Sequence, residues 1–345
     1  MGDLFPRGLG PRVLFKVLPR FDESLAGFLT RIGEANFLRS AHGILWKIGK
    51  STFPLSDQDL IALAEFCSCD VGELAELFGG RIRRIDGLRA WKLGEEWIGK
   101  DYFIATRNQP CCPNCLKEDG YLKAAWELTF YTCCGRHGVE LIEQCPQCGW
   151  RLTWQRGKVT HCRCGYDLRE SPISNASPFE RLVAQLVDLR ITGKHIHALM
   201  EILPPHVMGK LSVLSMDGLF RTIWFFGYCL SLQANGKAGP LDNRFKSSDA
   251  KKILDSAFNY LVDWPTTFID TLNKLGNRPH QRNTTILAAR TFGPIHRFLS
   301  EEAEQGELIF LWHAYERFLR DFWKVSGRHR LPSPLSPQTE FDFWR

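Results

Sequence analysis

The sequence predicts a mainly α-helical protein interrupted by a small cysteine-rich insertion. Three observations predict it. Apolar residues recur at helical spacing in both flanks of the chain, nine of the twelve cysteines crowd between Cys111 and Cys164, and the segment from Leu331 onward is broken by Pro332, Pro334 and Pro337. At 345 residues the chain has room for about two to three domains. Its 44% hydrophobic and 24% charged residues are those of a folded protein, which excludes wholesale disorder. The composition therefore divides into an N-terminal helical domain (1–110), a cysteine-rich middle domain (111–170), a helical C-terminal domain (171–327) and a Pro-rich tail (328–345).

Each element has a local reason. Asp22 or Ser24 caps a helix that places Leu25, Phe28, Leu29 and Ile32 on one face. Ser56, with Asp59 three residues on, starts a second helix through Leu60, Ile61, Leu63, Ala64 and Phe66. Asp70, with Glu73, starts a third carrying Leu74, Leu77 and Phe78. The short Cys67-Ser68-Cys69 link between these two resembles a helix-turn-helix. An ordinary packed helix pair is the other reading of the same residues, and the commoner one. Arg81, Arg83, Arg84, Arg89 and Lys92 follow, opposed by Asp86 alone. They read as either a solvated basic face or a phosphate-binding surface. Beyond the middle domain, helices start near Ser177, Ser212, Ser248 and Asn283. A last helix covers Glu301 to Lys324 and stacks Leu308, Leu311, Trp312, Tyr315, Phe318, Leu319 and Phe322 into a core stripe. Acidic residues are missing between Asp270 and Glu301, where Lys274, Arg278, His280, Arg282, Arg290, His296 and Arg297 sit. Arg81, Arg83, Arg84, Arg278 and Arg282 are the candidate nucleic-acid contacts.

The net charge of +6 permits a nucleic-acid partner without requiring one. Met1 to Arg20 lacks the unbroken apolar run of a secretory signal. Asp217 and Arg221 interrupt the most hydrophobic stretch, Leu211 to Leu232, so no membrane span is expected there. A cytoplasmic location follows as the expectation, and in that compartment cysteines serve as metal ligands before they form disulfides.

Four ligand pairs run in order: Cys112-Pro-Asn-Cys115, Cys134-Gly-Arg-His137, Cys145-Pro-Gln-Cys148 and Cys162-Arg-Cys164. Thiolates and imidazole in fours suit tetrahedral zinc. Sequential pairing gives Cys112, Cys115, Cys134 and His137 to one ion and Cys145, Cys148, Cys162 and Cys164 to a second. Crossed pairing satisfies the same spacings. Cys111 and Cys133 adjoin proposed ligands and His161 adjoins Cys162, so the register within each doublet stays open. The expectation is two structural Zn²⁺ per chain, and the fold class reads in full as mainly α with small zinc-ribbon or zinc-finger insertions. Filled sites leave no open position for catalysis. The zinc-deaminase pattern fails too: two residues separate His137 from Glu140, and Pro146 follows Cys145 instead of preceding it. Neither a phosphate-binding G-x-x-x-x-G-K-[ST] loop nor an H-E-x-x-H helix occurs, and no enzyme is expected.

These residues together resemble a known family. Leu18-Pro19-Arg20-Phe21-Asp22-Glu23-Ser24-Leu25, Cys112-Pro113-Asn114-Cys115-Leu116, Gly120-Tyr121, Trp126, Cys134-x-x-His137-Gly138, Cys145-Pro146-x-Cys148-Gly149 and Asp263-Trp264-Pro265 with Phe268 are similar to the TniQ/TnsD family of transposon target-selection proteins. The resemblance covers about Val13 to Lys324. It implies a non-enzymatic bacterial adaptor in Tn7-like transposition that links a guide-RNA effector complex such as Cascade to the AAA+ regulator TnsC. Target DNA or guide RNA would lie nearby, and a homodimer fits. The TnsD branch implies instead a protein that reads an attachment site in DNA itself. The entry segment Val13 to Phe21 and the helix Ser24 to Asn36 are the element expected to face TnsC.

Overall fold

The computed structural model describes residues 12–51, 55–77, 81–83, 89–105, 108–193, 201–230, 249–276, 288–303 and 306–325. Two compact units divide the chain. The first comprises Met1–Ile202, Ser215–Phe220 and Arg244–Leu254; the second comprises Leu203–Leu214, Arg221–Asn243 and Asp255–Arg345.

The first unit opens with four helices: α1 (Leu25–Ala35), α2 (Ala41–Lys47), α3 (Asp57–Cys67) and α4 (Val71–Ala75). Their caps are the residues the sequence marks. The Ser24 side chain accepts from the Gly27 N–H, Ser56 and Asp59 form a reciprocal capping box, and Asp70 accepts from the N–H groups of Gly72 and Glu73. Leu25, Phe28, Leu29 and Ile32 of α1 bury against Ile44, Leu45, Leu60, Leu63 and Leu74 in one core.

A three-stranded antiparallel sheet follows, with order β1 (Arg81–Arg83), β2 (Arg89–Leu93) and β3 (Glu96–Ile98). The all-helical reading of the N-terminal part misses this sheet. Gly94 has φ 57° in the two-residue turn between Leu93 and Glu96, and β-forming Trp91 pairs with Ile98 across it. Helix α5 (Pro113–Glu118) and a run of isolated bridges make up the cysteine-rich segment, and α6 (Pro178–Thr192) starts on a Ser177–Glu180 capping box. Phe103, Phe130 and Phe220 meet at ring separations of 5.5–5.6 Å in a second core of this unit.

The remaining helices are α7 (Pro205–Val213), α8 (Met216–Trp224), α9 (Ala250–Leu261), α10 (Thr266–Gly276), α11 (Ala288–Phe292), α12 (Pro294–Phe298) and α13 (Ile309–Val325). The start expected near Ser212 is instead the last turn of α7. Helix α8 begins at Met216, where the Ser215 hydroxyl accepts from the Gly218 N–H at 3.1 Å. Ser248 and Asn283 lie outside the described residues. The expected helix from Glu301 is divided: a π-helical turn covers Leu299–Ala303, Gly306 takes φ 90°, and α13 begins at Ile309. The apolar stripe of α13 is core, as its period requires, with Phe292 edge-on to Tyr315 and Phe318. Phe225 stacks on Phe298 at 4.7 Å in the same unit. Among the described residues no helix is long and apolar enough to cross a membrane.

Candidate metal centres

The cysteine-rich segment has few long elements, so its order rests on short bridges and tight turns. Cys111 pairs with Ile142, and Cys133 pairs with Glu140, both antiparallel. Successive residues in extended backbone point to opposite faces. Cys112 and Cys134, one step beyond each bridge, therefore turn away from their neighbours and towards each other. Pro113 opens α5 directly after Cys112 and carries Cys115 inward one turn later. The Cys134 N–H donates to the Val139 carbonyl at 2.8 Å, the Gly138 N–H donates back to Cys134 at 2.7 Å, and Gly138 has φ 66°. That tight knuckle returns His137 to the cluster.

Cys112, Cys115, Cys134 and His137 form the first quartet, with all ligand atoms within 4.8 Å of one another. Cys115 Sγ lies 3.5 Å from Cys134 Sγ, and the His137 Nδ1 lies 3.5, 3.3 and 3.4 Å from the sulfurs of Cys112, Cys115 and Cys134. Cys145, Cys148, Cys162 and Cys164 form the second, with separations of 3.7 Å for Cys145–Cys164 and for Cys148–Cys162. A tetrahedral ion with bonds of about 2.3 Å to sulfur and about 2.0 Å to nitrogen sets edges of about 3.8 Å and 3.5 Å. Disulfides would need sulfurs about 2.05 Å apart. Distances and soft donors together fit a metal ion in each quartet, and sequential pairing is the arrangement observed.

Within each doublet the quartets include the second cysteine, Cys112 and Cys134. Cys111 and Cys133 are fully buried and outside the quartets. Burial pushes the Cys111 thiol up to about 11 and raises that of Cys133. Cys112 is the opposite case: donation from the Cys115 and Cys134 thiols, and from the N–H groups of Cys115 and Asn114, pushes it down to about 3. The quartet thus favours a thiolate at Cys112. His161 lies outside both quartets, and its Nδ1 is 2.9 Å from the Thr160 hydroxyl. Glu140 pairs with Lys251 at 2.7 Å.

Sequence reasoning misses the groups that position the ligands. Glu118 Oε1 lies 3.1 Å from the His137 Nε2, so the carboxylate fixes the ring while Nδ1 faces the sulfurs. On the other side, the Gly135 N–H donates to the Tyr131 hydroxyl at 3.1 Å, and that hydroxyl donates to Asp188 of α6. Burial raises Asp188 to about 7.

The family-like motif before α1 also converges here. The Ser24 N–H donates to the Leu122 carbonyl and the Ala124 N–H to the Asp22 carbonyl. The Tyr121 hydroxyl donates to Asp22, Lys123 pairs with Asp22 at 3.1 Å, and Arg20 lies over the Tyr121 ring at 4.7 Å. Arg31 holds buried Glu23 from within α1. Motif residues about 100 positions apart therefore form one joint between α1 and the first quartet. Leu18 and Phe21 remain exposed beside that joint.

Of the candidate nucleic-acid contacts, Arg81 and Arg83 lie on β1. Arg84, Arg278 and Arg282 lie outside the described residues. Helices α3 and α4 do form a pair, but α4 has five residues and carries exposed Glu73, with exposed Glu76 at its end. Acidic groups there oppose insertion between phosphates.

Fold and site define a mainly helical protein whose middle segment carries two four-ligand groups, each able to hold a metal ion. The TniQ family model matches residues 14–141, so the chain carries over that stretch a TniQ domain, the domain of transposition-associated targeting proteins. The match takes in the first quartet and stops before the second. No curated protein matches the chain.

Proposed function

We propose that this chain is an adaptor in transposition targeting, coupling a guide-RNA effector complex such as Cascade to the AAA+ regulator TnsC. The observation that carries the reading is an apolar series inside the matched stretch. Leu14, Phe15, Leu18 and Phe21 in the entry segment, and Phe37 after α1, are all exposed, from 53% to 88%. Phe15 and Phe37 meet edge-on at 6.2 Å. Folding does not use these side chains, and apolar groups concentrated in this way favour a protein partner. Arg12, Lys16 and Arg20 are exposed among them. We assign this surface to TnsC. Zinc is our choice of metal for both quartets, in a structural role: four protein ligands each leave no position for a reacting water.

Pull-down with purified TnsC and with Cascade subunits tests the reading, comparing the full chain with the double variant Leu18→Asp, Phe21→Asp. TnsC capture should be lost, with Cascade capture and metal content retained. Undiminished TnsC capture would remove the assignment. A TnsD-like attachment-site reader would instead hold one duplex sequence at about 10⁻⁸–10⁻¹¹ M, against about 10⁻⁴–10⁻⁶ M for non-specific phosphate attraction. Gel-shift titration at fixed salt separates these two.

A further inference from the structure

The tip of the second quartet carries side chains that neither the metal nor the core uses. The Gly149 N–H donates to the Cys145 carbonyl at 2.9 Å, Gly149 has φ 68°, and the Cys145 N–H donates to the Trp150 carbonyl at 2.8 Å. This turn sends Trp150 outward, 54% exposed. The facing knuckle repeats the pattern, with the Gly165 N–H donating to Cys162 at 2.9 Å and Gly165 at φ 92°, and it presents Arg163. The guanidinium of Arg163 lies 3.2 Å from the centroid of the Trp150 ring. The Cys148–Cys162 and Cys145–Cys164 approaches hold the two knuckles together. A metal in the quartet therefore also fixes the Trp–Arg stack.

The surroundings are one-sided in charge. Arg151, Lys158 and Arg163 are exposed, and none is paired with a carboxylate among the described residues. Among the described residues the Arg151 guanidinium donates to the Asn108 side chain alone, at 3.4 Å. Between Gln144 and Glu170 the acids are Asp167, engaged by Arg169 at 2.7 Å, and Glu170. A divalent ion with four thiolates is a net dianion, and the three exposed cations Arg151, Lys158 and Arg163 more than offset it.

We propose that this tip binds single-stranded nucleic acid, with a base stacked on Trp150 and phosphates held by Arg151 and Arg163. Stacked on an aromatic ring, a guanidinium keeps its N–H donors free at the plane's edge and loses little freedom on binding an anion. A duplex keeps its base faces inside, whereas a single strand offers base face and phosphate together. The contact is separate from the apolar entry surface and does not depend on the TnsC assignment. It does rest on the second quartet holding a metal.

Fluorescence anisotropy of the full zinc-loaded chain with labelled dT12, labelled rU12 and a 12-base-pair duplex tests the proposal. Metal content is measured on every variant. Both single strands should bind more tightly than the duplex, and preference for one of them identifies DNA or RNA as the source. Trp150→Ala should weaken single-strand binding at least about tenfold, and Trp150→Phe should restore most of it. Arg151→Gln and Arg163→Gln should each lower the slope of log affinity against log salt by about 0.7. Unchanged affinity in Trp150→Ala with two metals retained would overturn the proposal. So would duplex preference, or hexaglutamate binding with the same dependence on Trp150. If Trp150→Ala loses metal, the two arginine variants decide through the salt slope.

Discussion

Glu127 is a carboxyl placed where ionisation is costly. It is 7% exposed, its Oε1 has no hydrogen-bond partner, and Ser24 supplies its hydrogen bond. Burial pushes it up to about 8 from an ordinary 4.5. The folded value lies above the unfolded one, so the stabilisation is complete below 4.5 and is lost as pH rises through about 8. Each unit of pH between those limits costs about 1.4 kcal/mol. From pH 6 to pH 8, allowing for curvature near the folded value, the loss is about 2 kcal/mol. Glu127→Gln keeps the shape and removes the proton equilibrium. Urea unfolding of both proteins at pH 6, 7 and 8, in one zinc buffer, gives the difference directly, because the pH dependence of metal binding is common to both. The wild type should lose about 2 kcal/mol relative to Glu127→Gln across that range. Parallel stability curves would refute the claim that burial keeps this carboxyl protonated.

Two further outcomes follow from close contacts. A Cβ on Gly157 would run into the Arg39 carbonyl oxygen, so Gly157→Ala should cost about 1–3 kcal/mol in urea unfolding, because the obstacle is backbone. Glu118→Gln removes the carboxylate that orients His137, and competition with a chromophoric chelator should show one of two metals held about 10–100-fold more weakly.

The helix starts were legible because caps are local: Ser24, Ser56, Asp70 and Ser177 each act within three residues of themselves. The sheet from Arg81 to Ile98 was not, since its strands are three to five residues long and basic residues obscure the alternation. Ligand pairs were legible because a knuckle fixes its own spacing. The register inside Cys111-Cys112 and Cys133-Cys134 depended on the partners Ile142 and Glu140, which set which face each cysteine takes. Glu118 lies 19 residues from His137, and nothing in the intervening sequence announces the contact. The Trp150–Arg163 stack is hidden for the same reason: it exists only once the two knuckles of the second quartet close.

Two quartets of fixed membership should each hold one ion. Elemental analysis of the purified chain and four single variants tests it most directly. The wild type should carry two zinc ions. Cys112→Ser and Cys134→Ser should each lose the ion of the first quartet, while Cys111→Ser and Cys133→Ser should keep both, because those thiols lie outside the ligand set. One ion or none in the wild type, or loss of metal in Cys111→Ser with retention in Cys112→Ser, would contradict the account.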